Sequence, residues 1–363
     1  MIIGVFSPVI NLCGGAEWVA INIITALKTH GHQVVVLSDK LLNQEKFKRV
    51  FGKEVSVDSQ LIFPMRFFSG GNYRNVYTDS IRSLILKSKC DVLIDTFSNT
   101  VLLGMDVSYI HHPMLRQITN EAALFRNKVY FFPYERFLRS YRKKIEKKLI
   151  LANSKFTAEA IKSEFGVDPL ILYPSVSSRM LNPNKSVFQK PRANNVTTIG
   201  RIANRKKLYL IPYIAKLSRE DITFTIVGNL ESEQILSLLL KLIKKLQVAD
   251  RVKILTNVNR EHLRKILLNS KVYLHTAMNE HFGISIVEAM ASGCTPIVHN
   301  SGGPKEFVPL NQRFNNIAEA ADIVGKSIDS WSPAQASKFS EIAERFGENN
   351  FSRQFIELLN SHF

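Results

Sequence analysis

The stretch NEHFGISIVEAMASGCTPIVHNSGG, residues 279–303, carries the densest pattern in this sequence. A polar loop containing Glu280 leads through Gly283 into an apolar helical run, Ile284–Ser292. A glycine directly before a helix lets backbone N–H groups approach an anion such as a diphosphate, and the helix dipole favours that anion. Glu288, near the helix start, can accept two hydrogen bonds from a ribose, and Glu280 can contact a second polyol. Taken alone, however, two acidic residues eight apart fit solvated surface charges better.

Outside this stretch, short apolar runs alternate with helical patterns along the chain. The predicted strands are Ile2–Ser7, Gln33–Ser38, Asp91–Asp95, Val107–Ile110, Leu149–Ala152, Val196–Ile199, Phe224–Val227, Val252–Ile254, Val272–Leu274 and Thr295–Val298. Strands separated by helices predict parallel sheets with helices on both faces. Polar, proline-containing stretches at 182–184 and 190–195 are typical of linkers. We therefore predict an α/β protein with two doubly wound, Rossmann-like domains facing a central cleft.

The linkers place the boundary between these domains near residue 185. We predict an N-terminal domain at 1–185 and a C-terminal domain at 186–346. A final helix, at about 347–363, is expected to pack back on the N-terminal domain.

Composition limits the classes of protein that this chain can belong to. Its 363 residues suit two cores, and a hydrophobic content of 45% excludes a disordered chain. The three cysteines, Cys13, Cys90 and Cys294, lie far apart, so neither a disulfide framework nor a CxxC zinc site is expected. The net charge of +17 indicates an anionic partner: nucleic acid, nucleotide phosphates or an acidic membrane face. With neither a signal-peptide pattern nor a long apolar run, we expect a cytoplasmic protein.

The residues around the two glutamates change their interpretation. Glu280, Phe282-Gly283 and Glu288 are followed by Ser301-Gly302-Gly303. This order, with its Glu-x7-Glu spacing, resembles the signature of the retaining glycosyltransferases of family 4, which have the GT-B fold. The resemblance implies a donor site formed by Glu280, Phe282, Gly283, Ile284 and Glu288.

The stretch GRIANRK, residues 200–206, is a second candidate for donor binding. The guanidinium of Arg201 and the ammonium of Lys206 suit a diphosphate and its charge as it leaves. Without context, a solvated basic loop would be the simpler interpretation. The place and spacing are similar to the Arg and Lys clamp of the family, although Arg205 departs from its usual acidic or prolyl residue. Lys207 is adjacent, so which of the two lysines binds phosphate stays open.

Two N-terminal stretches complete the resemblance. Gly14 and Gly15, between the first strand and first helix, are similar to the glycine-rich loop beside the donor phosphates. His111, in YIHHP after a strand, is similar to the family's histidine near the reacting sugar. Alone, each pattern is weak, since a Gly-Gly pair often marks only a tight turn. The resemblance implies four catalytic residues, His111, Arg201, Lys206 and Glu280.

Within the family, the sequence looks most like the α-1,2-mannosyltransferases that extend dolichol-linked oligosaccharides. This implies transfer of mannose from GDP-mannose, with retention, to a lipid-linked or other glycan acceptor. A UDP-glucose or UDP-N-acetylglucosamine donor is the main alternative, and a nucleic-acid-binding protein is a distant one. No Asp-x-Asp motif occurs, so we expect no cofactor and no metal requirement.

The stretch YFFPYERFLRSYRKKIEKK, residues 130–148, combines basic and aromatic residues at helical spacing. One interpretation is a helix that buries its apolar stripe while its charges stay solvated. The other adds an anionic membrane surface as a partner, with Phe131 and Phe132 at the interface. A lipid-linked acceptor would suit the second interpretation, and we therefore expect a peripheral protein on the cytoplasmic face of a membrane.

Overall fold

A computed structural model describes residues 1–63, 75–113, 129, 132–134, 136, 145–181 and 184–363. The described residues divide into two units, 1–175 with 349–363, and 176–348. The division falls at 175/176, ten residues before the expected 185/186. Val176 belongs to the second unit because its N–H donates to the carbonyl of Phe346, at 2.8 Å, and it forms a β-bridge with Gly347.

Strands and helices alternate through both units. The strands are β1 (Ile2–Phe6), β2 (Gln33–Ser38), β3 (Ser59–Ile62), β4 (Val92–Asp95), β5 (Val107–Ile110), β6 (Leu149–Ala152), β7 (Leu170–Ile171), β8 (Ala193–Ile199), β9 (Thr223–Gly228), β10 (Val252–Thr256), β11 (Ser270–His275), β12 (Thr295–His299) and β13 (Arg313–Phe314). The helices include α1 (Gly15–Thr29), α2 (Gln44–Phe51), α3 (Val76–Lys87), α4 (Lys155–Phe165), α5 (Leu210–Leu217), α6 (Glu233–Lys245), α7 (Arg260–Leu268), α8 (Ile284–Ala291), α9 (Ile317–Ser330), α10 (Pro333–Glu344) and α11 (Glu348–His362).

Each unit is built on one parallel sheet. The first has seven strands in the order β3-β2-β1-β4-β5-β6-β7, and the second has six in the order β10-β9-β8-β11-β12-β13. In both sheets the strand order reverses beside the first strand, which is the doubly wound pattern. The central strands have buried side chains on both faces, as parallel strands covered by helices require.

The ends of the helices follow from local side-chain chemistry. The Ser154 hydroxyl accepts a hydrogen bond from the N–H of Thr157 at 3.0 Å and so caps α4, as the sequence indicates. Asn259 caps α7 in the same way, through the N–H of His262 at 2.8 Å. Gly166, in the left-handed conformation, ends α4.

Each predicted strand is present, with ends within a few residues of those expected. Three further strands, β3, β7 and β13, were not predicted. Two of them have only two residues, and all three lie at or near a sheet edge, where no alternating or apolar pattern is needed.

The linker predicted at 190–195 is wrong, because Ala193–Asn195 already belong to β8. Arg192, just before that strand, is buried, and its guanidinium donates to the carbonyls of Ser270 and Ser292, both at 2.8 Å. These carbonyl partners make a polar stretch part of the second core. Of the other linker, only residue 184 is described.

The basic-aromatic stretch 130–148 lies mostly outside the described residues, Phe131 among those excluded. Within the described part, Tyr134 and Ile145 are buried, whereas the side chain of Phe132 is 60% exposed. None of the described helices combines the length and apolar character needed to cross a bilayer.

Gly228, at the end of β9, allows the loop that follows β8 to pass close by. A Cβ atom built at Gly228 would lie 1.9 Å from the carbonyl oxygen of Gly200. No side chain fits there unless the backbone of the 200–206 loop moves. The position of that loop therefore depends on the absence of a side chain at residue 228.

We expect Gly228→Ala to lower the free energy of unfolding by about 1–3 kcal/mol, because the added methyl group overpacks against backbone. Gly325→Ala is the matched control, since a Cβ atom there meets nothing within 4 Å and the residue lies inside α9. This control should raise stability by up to ~1 kcal/mol. Denaturant unfolding followed by circular dichroism measures both, and a Gly228→Ala midpoint equal to wild type would contradict the steric argument.

Candidate active site

The strand order of the second unit creates a crevice between two loops. Strands β8 and β11 are neighbours, and the connections that follow them run to opposite sides of the sheet. Ligands of doubly wound sheets bind at such a switch point, beyond the carboxyl ends of the strands. The loop after β8 contains Arg201 and Lys206, and the loop after β11 contains Glu280. The fold thus brings residues from two distant stretches to one edge.

The centre of this crevice is a three-residue cluster on Glu280. The ammonium of Lys206 lies 2.6 Å from Oε2 of Glu280, and Nε2 of His275 lies 3.0 Å from the same oxygen. The side chains of Lys206 and Glu280 are 22% and 20% exposed, whereas that of His275 is 2% exposed. Lys206 is tied to the second loop once more, since its carbonyl accepts from the hydroxyl of Thr276 at 2.9 Å.

The cluster controls the ionisation of its members. Burial by itself would raise the pKa of Glu280, but the hydrogen bond from His275 and the charge of Lys206 outweigh it and hold this pKa well below the usual range. Burial, only partly opposed by the hydrogen bond to Glu280, lowers the pKa of His275. Near neutral pH Glu280 is therefore an ionised carboxylate, and His275 is a neutral imidazole whose Nε2–H donates to it.

The backbone of Glu280 is fixed by the HNSGG stretch that closes the motif. The N–H of Gly303 donates to the carbonyl of Glu280 at 2.8 Å, and the N–H of Asn279 donates to the hydroxyl of Ser301 at 2.8 Å. Gly302 has φ +76°, and a Cβ atom there would lie 2.2 Å from the carbonyl oxygen of Glu280. Only glycine fits this close, left-handed position.

Gly283 and Glu288 lie at and within the start of α8, as predicted. Gly283 is the N-cap with φ +91°, and a Cβ atom there would lie 2.5 Å from the side chain of Ile286. Ile284 is the first helical residue, so its N–H belongs to the turn that lacks intrahelical acceptors. Glu288 is buried, and its Oε1 accepts a hydrogen bond from the guanidinium of Arg260.

Three other predicted residues are placed differently from Lys206 and Glu280. The guanidinium of Arg201 pairs with Glu231 at 3.3 Å, and its side chain is 55% exposed. Phe282 packs against Phe307 and Phe346, with ring centroids 5.3 and 5.4 Å away, so its side chain belongs to the core. Lys207, with φ +49°, forms none of the ion pairs found in the described part of the chain.

The N-terminal candidates lie in the first unit. The N–H groups of His111 and His112 both donate to the side-chain oxygen of Asn99, at 2.8 and 3.2 Å. Asn99 has φ +57° in the loop after β4, so a strained polar residue fixes the backbone of the histidine loop. Nε2 of His111 lies 3.2 Å from the carbonyl of Thr96, and the side chain is partly exposed.

The glycine pair of the first unit begins α1. Gly14 is the N-cap, and its N–H donates to the carboxylate of Glu17 at 2.7 Å. Both Gly14 and Gly15 are exposed. This single hydrogen bond from Gly14 to Glu17 already stabilises the helix end, so the pair has a structural role whatever it binds.

Sequence reasoning missed His275 and Arg260. His275 ends a buried strand, and a histidine at the carboxyl end of a parallel strand beside a motif is a usable signal. Arg260 lies 28 residues before Glu288, so nothing local to the motif identifies it. Among the residues that the structure describes, no three His, Cys, Asp or Glu side chains group as metal ligands would.

Comparison with known proteins gives the families that this chain matches. Residues 183–351 match the family described as glycosyl transferases group 1, and residues 13–176 match glycosyltransferase family 4. The solved structure of Anabaena HepE with UDP and glucose superposes with a TM-score of 0.73 over 99% of this chain and 100% of that one, at 18% identity. These findings define a glycosyltransferase and confirm the predicted GT-B fold.

Two curated relatives carry the name of a mannosyltransferase. A Dictyostelium discoideum protein named GDP-Man:Man(3)GlcNAc(2)-PP-Dol alpha-1,2-mannosyltransferase is 25% identical, over 98% of this chain and 84% of its own length. The Homo sapiens protein of the same name is 27% identical over 84% of this chain and 73% of its own length. The two family matches together span nearly the whole chain, and both describe glycosyltransferases.

We expect Lys206→Ala to lower kcat by about 10²–10³-fold, because it removes the ammonium that pairs with Glu280 and would stabilise the leaving diphosphate. Lys207→Ala is the matched control and should stay within a few-fold of wild type, since Lys207 lies next in the chain but outside the cluster. Initial rates of sugar release from the nucleotide-sugar donor measure both. Equal losses in the two variants would show that Lys206 is not the phosphate lysine.

Proposed function

We propose that this protein transfers mannose from GDP-mannose, with retention of configuration, to a lipid-linked oligosaccharide. The observation that carries the proposal is the Lys206–Glu280–His275 cluster at the switch point of the second unit. It offers one cation and one ionised acceptor in the same crevice, which a nucleotide sugar needs for its diphosphate and its hydroxyls. The choice of mannose, GDP and a lipid-linked acceptor is supported by the names of the curated relatives.

Each candidate site residue of the second unit has a separate role in this proposal. Lys206 neutralises the charge that develops on the diphosphate, and Arg201 leaves its exposed pair with Glu231 to contact the same group. Glu280 accepts hydrogen bonds from the transferring sugar, and Glu288 accepts them from the ribose. The N–H groups at Gly283 and Ile284 bind phosphate oxygens at the start of α8.

The proposed transfer needs no covalent enzyme intermediate. The bond between the anomeric carbon and the donor phosphate breaks, and a bond to the acceptor oxygen forms on the same face. The departing phosphate takes the proton of the acceptor hydroxyl, so no base on the enzyme is required. His111 is proposed to position the sugar and to stabilise its developing positive charge. With cations already supplied by Lys206 and Arg201, we propose that the reaction is independent of metal.

The acceptor and the membrane are proposed from charge and exposure. The net charge of +17 favours an anionic surface. In the described part of the 129–148 region, Val129 and Phe132 are 57% and 60% exposed. Exposed apolar side chains beside basic ones suit the interface of a bilayer. We therefore propose that the protein acts as a peripheral protein on the cytoplasmic face of a membrane.

The donor is tested by calorimetry with GDP, UDP and ADP, followed by transfer assays with GDP-mannose and UDP-glucose in excess EDTA. We expect selective binding of GDP and undiminished transfer from GDP-mannose. His111→Ala should keep the affinity for GDP but lose most transfer, since it does not touch the nucleotide. Selective binding of UDP would replace the proposed donor, strict dependence on manganese or magnesium would contradict the metal-independent proposal, and normal transfer by His111→Ala would remove its catalytic role.

The acceptor side is tested by flotation with liposomes. Wild-type protein should float with anionic vesicles at low salt, much less at 0.5 M salt, because screening shortens the range of the attraction. Neutral vesicles of the same size are the control. Protein that stays unbound at low salt would remove the physical support for a lipid-linked acceptor and favour a water-soluble glycan.

A further inference from the structure

Glu288 has an unexpected partner in the structure. The side chain of Glu288 is 6% exposed, and its Oε1 accepts a hydrogen bond from the guanidinium of Arg260. No hydrogen bond holds its other oxygen, Oε2, among the described residues. The carboxylate is thus fixed on one side and open on the other.

Arg260 comes from a different helix and from a different part of the chain. It is the first residue of α7, directly after the cap Asn259, whereas Glu288 lies in the second turn of α8. Both helices contact β11, and this places the arginine over the carboxylate. The Nε of Arg260 is buried and makes no hydrogen bond among the described residues, so the pair with Glu288 is the polar contact that holds the guanidinium.

Burial makes this pairing matter for function. A buried carboxylate is costly unless a cation and hydrogen bonds accompany it, and without them its ionised form is disfavoured. An ionised carboxylate accepts hydrogen bonds on both oxygens, whereas a protonated one must donate through one of them. A ribose diol presents two hydroxyl donors. The side chain that pairs with Glu288 and orients its carboxylate therefore controls how well it recognises the diol.

We propose that Arg260 is a positioning residue for ribose recognition, which orients Glu288 and compensates its charge so that Oε2 faces the diol of the donor nucleotide. This inference rests on the proposed function, because it requires that the second unit bind a nucleoside diphosphate. Arg260 itself need not touch the nucleotide. Its effect should appear in discrimination between nucleotides with and without ribose hydroxyls.

The test is the ratio of affinities for GDP and 2′,3′-dideoxy-GDP, measured by calorimetry and repeated with UDP and dideoxy-UDP. Hydrogen bonds to a charged acceptor should give wild type a preference for the ribose form of about 10- to 100-fold. In Arg260→Ala this ratio should fall to within about threefold of one, with little change in dideoxy-nucleotide affinity. Arg260→Lys, which keeps the charge but loses the fork, should give an intermediate ratio.

Two further variants separate positioning from general damage. Lys265→Ala removes a cation from the same helix, one paired with Glu261 on an exposed face, and should keep the wild-type ratio. Glu288→Gln should lower the ratio as Arg260→Ala does, and the double variant should lose no more than either single one, because both act through one contact.

The outcomes distinguish this inference from the function on which it rests. Wild-type protein that binds none of these nucleotides overturns the proposed function and the role of Arg260 with it. If wild type discriminates and Arg260→Ala keeps the same ratio, only the role of Arg260 is overturned. An equal loss of affinity for both forms in Arg260→Ala, with the ratio unchanged, would show a merely structural arginine. A lowered ratio that Arg260→Lys partly restores supports the proposal.

Discussion

The carboxylate of Glu280 is the group on which the second unit's crevice depends. It is mostly buried, and an ionised oxygen in that position needs both a cation and a donor. Lys206 provides the first and His275 the second, at 2.6 and 3.0 Å from the same oxygen. Lys206 comes from the loop after β8, and His275 is the last residue of β11. The ion pair therefore fixes the loop after β8 to the loop after β11, besides setting the charge of the site.

Close contacts between backbone segments position the loops that carry this cluster. Gly302 lets the loop after β12 pass against the backbone of Glu280, and Gly228 lets the loop after β9 pass against Gly200. Both contacts would be blocked by a single methyl group. Gly228 and Gly302 thus permit the close backbone contacts that position the two loops of the crevice. The ion pair between Lys206 and Glu280 joins the same two loops.

Glu288, the second acidic residue of the motif, also has a basic partner that compensates its buried charge. Glu288 is buried on α8, and Arg260 on α7 compensates it. Each of the two glutamates therefore has a basic partner that lies at least 28 residues away along the chain, from a loop in one case and a helix start in the other. Electrostatic compensation explains why two acidic residues that sequence statistics would place at the surface lie inside the unit.

Ten of the described strands and the candidate residues of the motif could be predicted from the sequence alone. Apolar runs such as Val107–Ile110 and caps such as Ser154 are local signals, because a strand must bury its side chains and a helix end must satisfy its own N–H groups. The order of Glu280, Gly283 and Glu288 was enough to indicate the family for a similar reason. The loop and the helix start that they form are contiguous in the chain.

The partners of these residues could not be predicted from the sequence, because they come from distant parts of the chain. The strand order places distant stretches of the chain side by side. This arrangement lets His275 donate to Glu280 and Arg260 pair with Glu288. It also brings Lys206, and not Lys207, to Glu280. The short strand β13 and the buried Arg192 escaped sequence reasoning for the same cause. A two-residue edge strand and a polar residue satisfied by distant carbonyls leave no periodic pattern, because the groups that stabilise them belong to other parts of the chain.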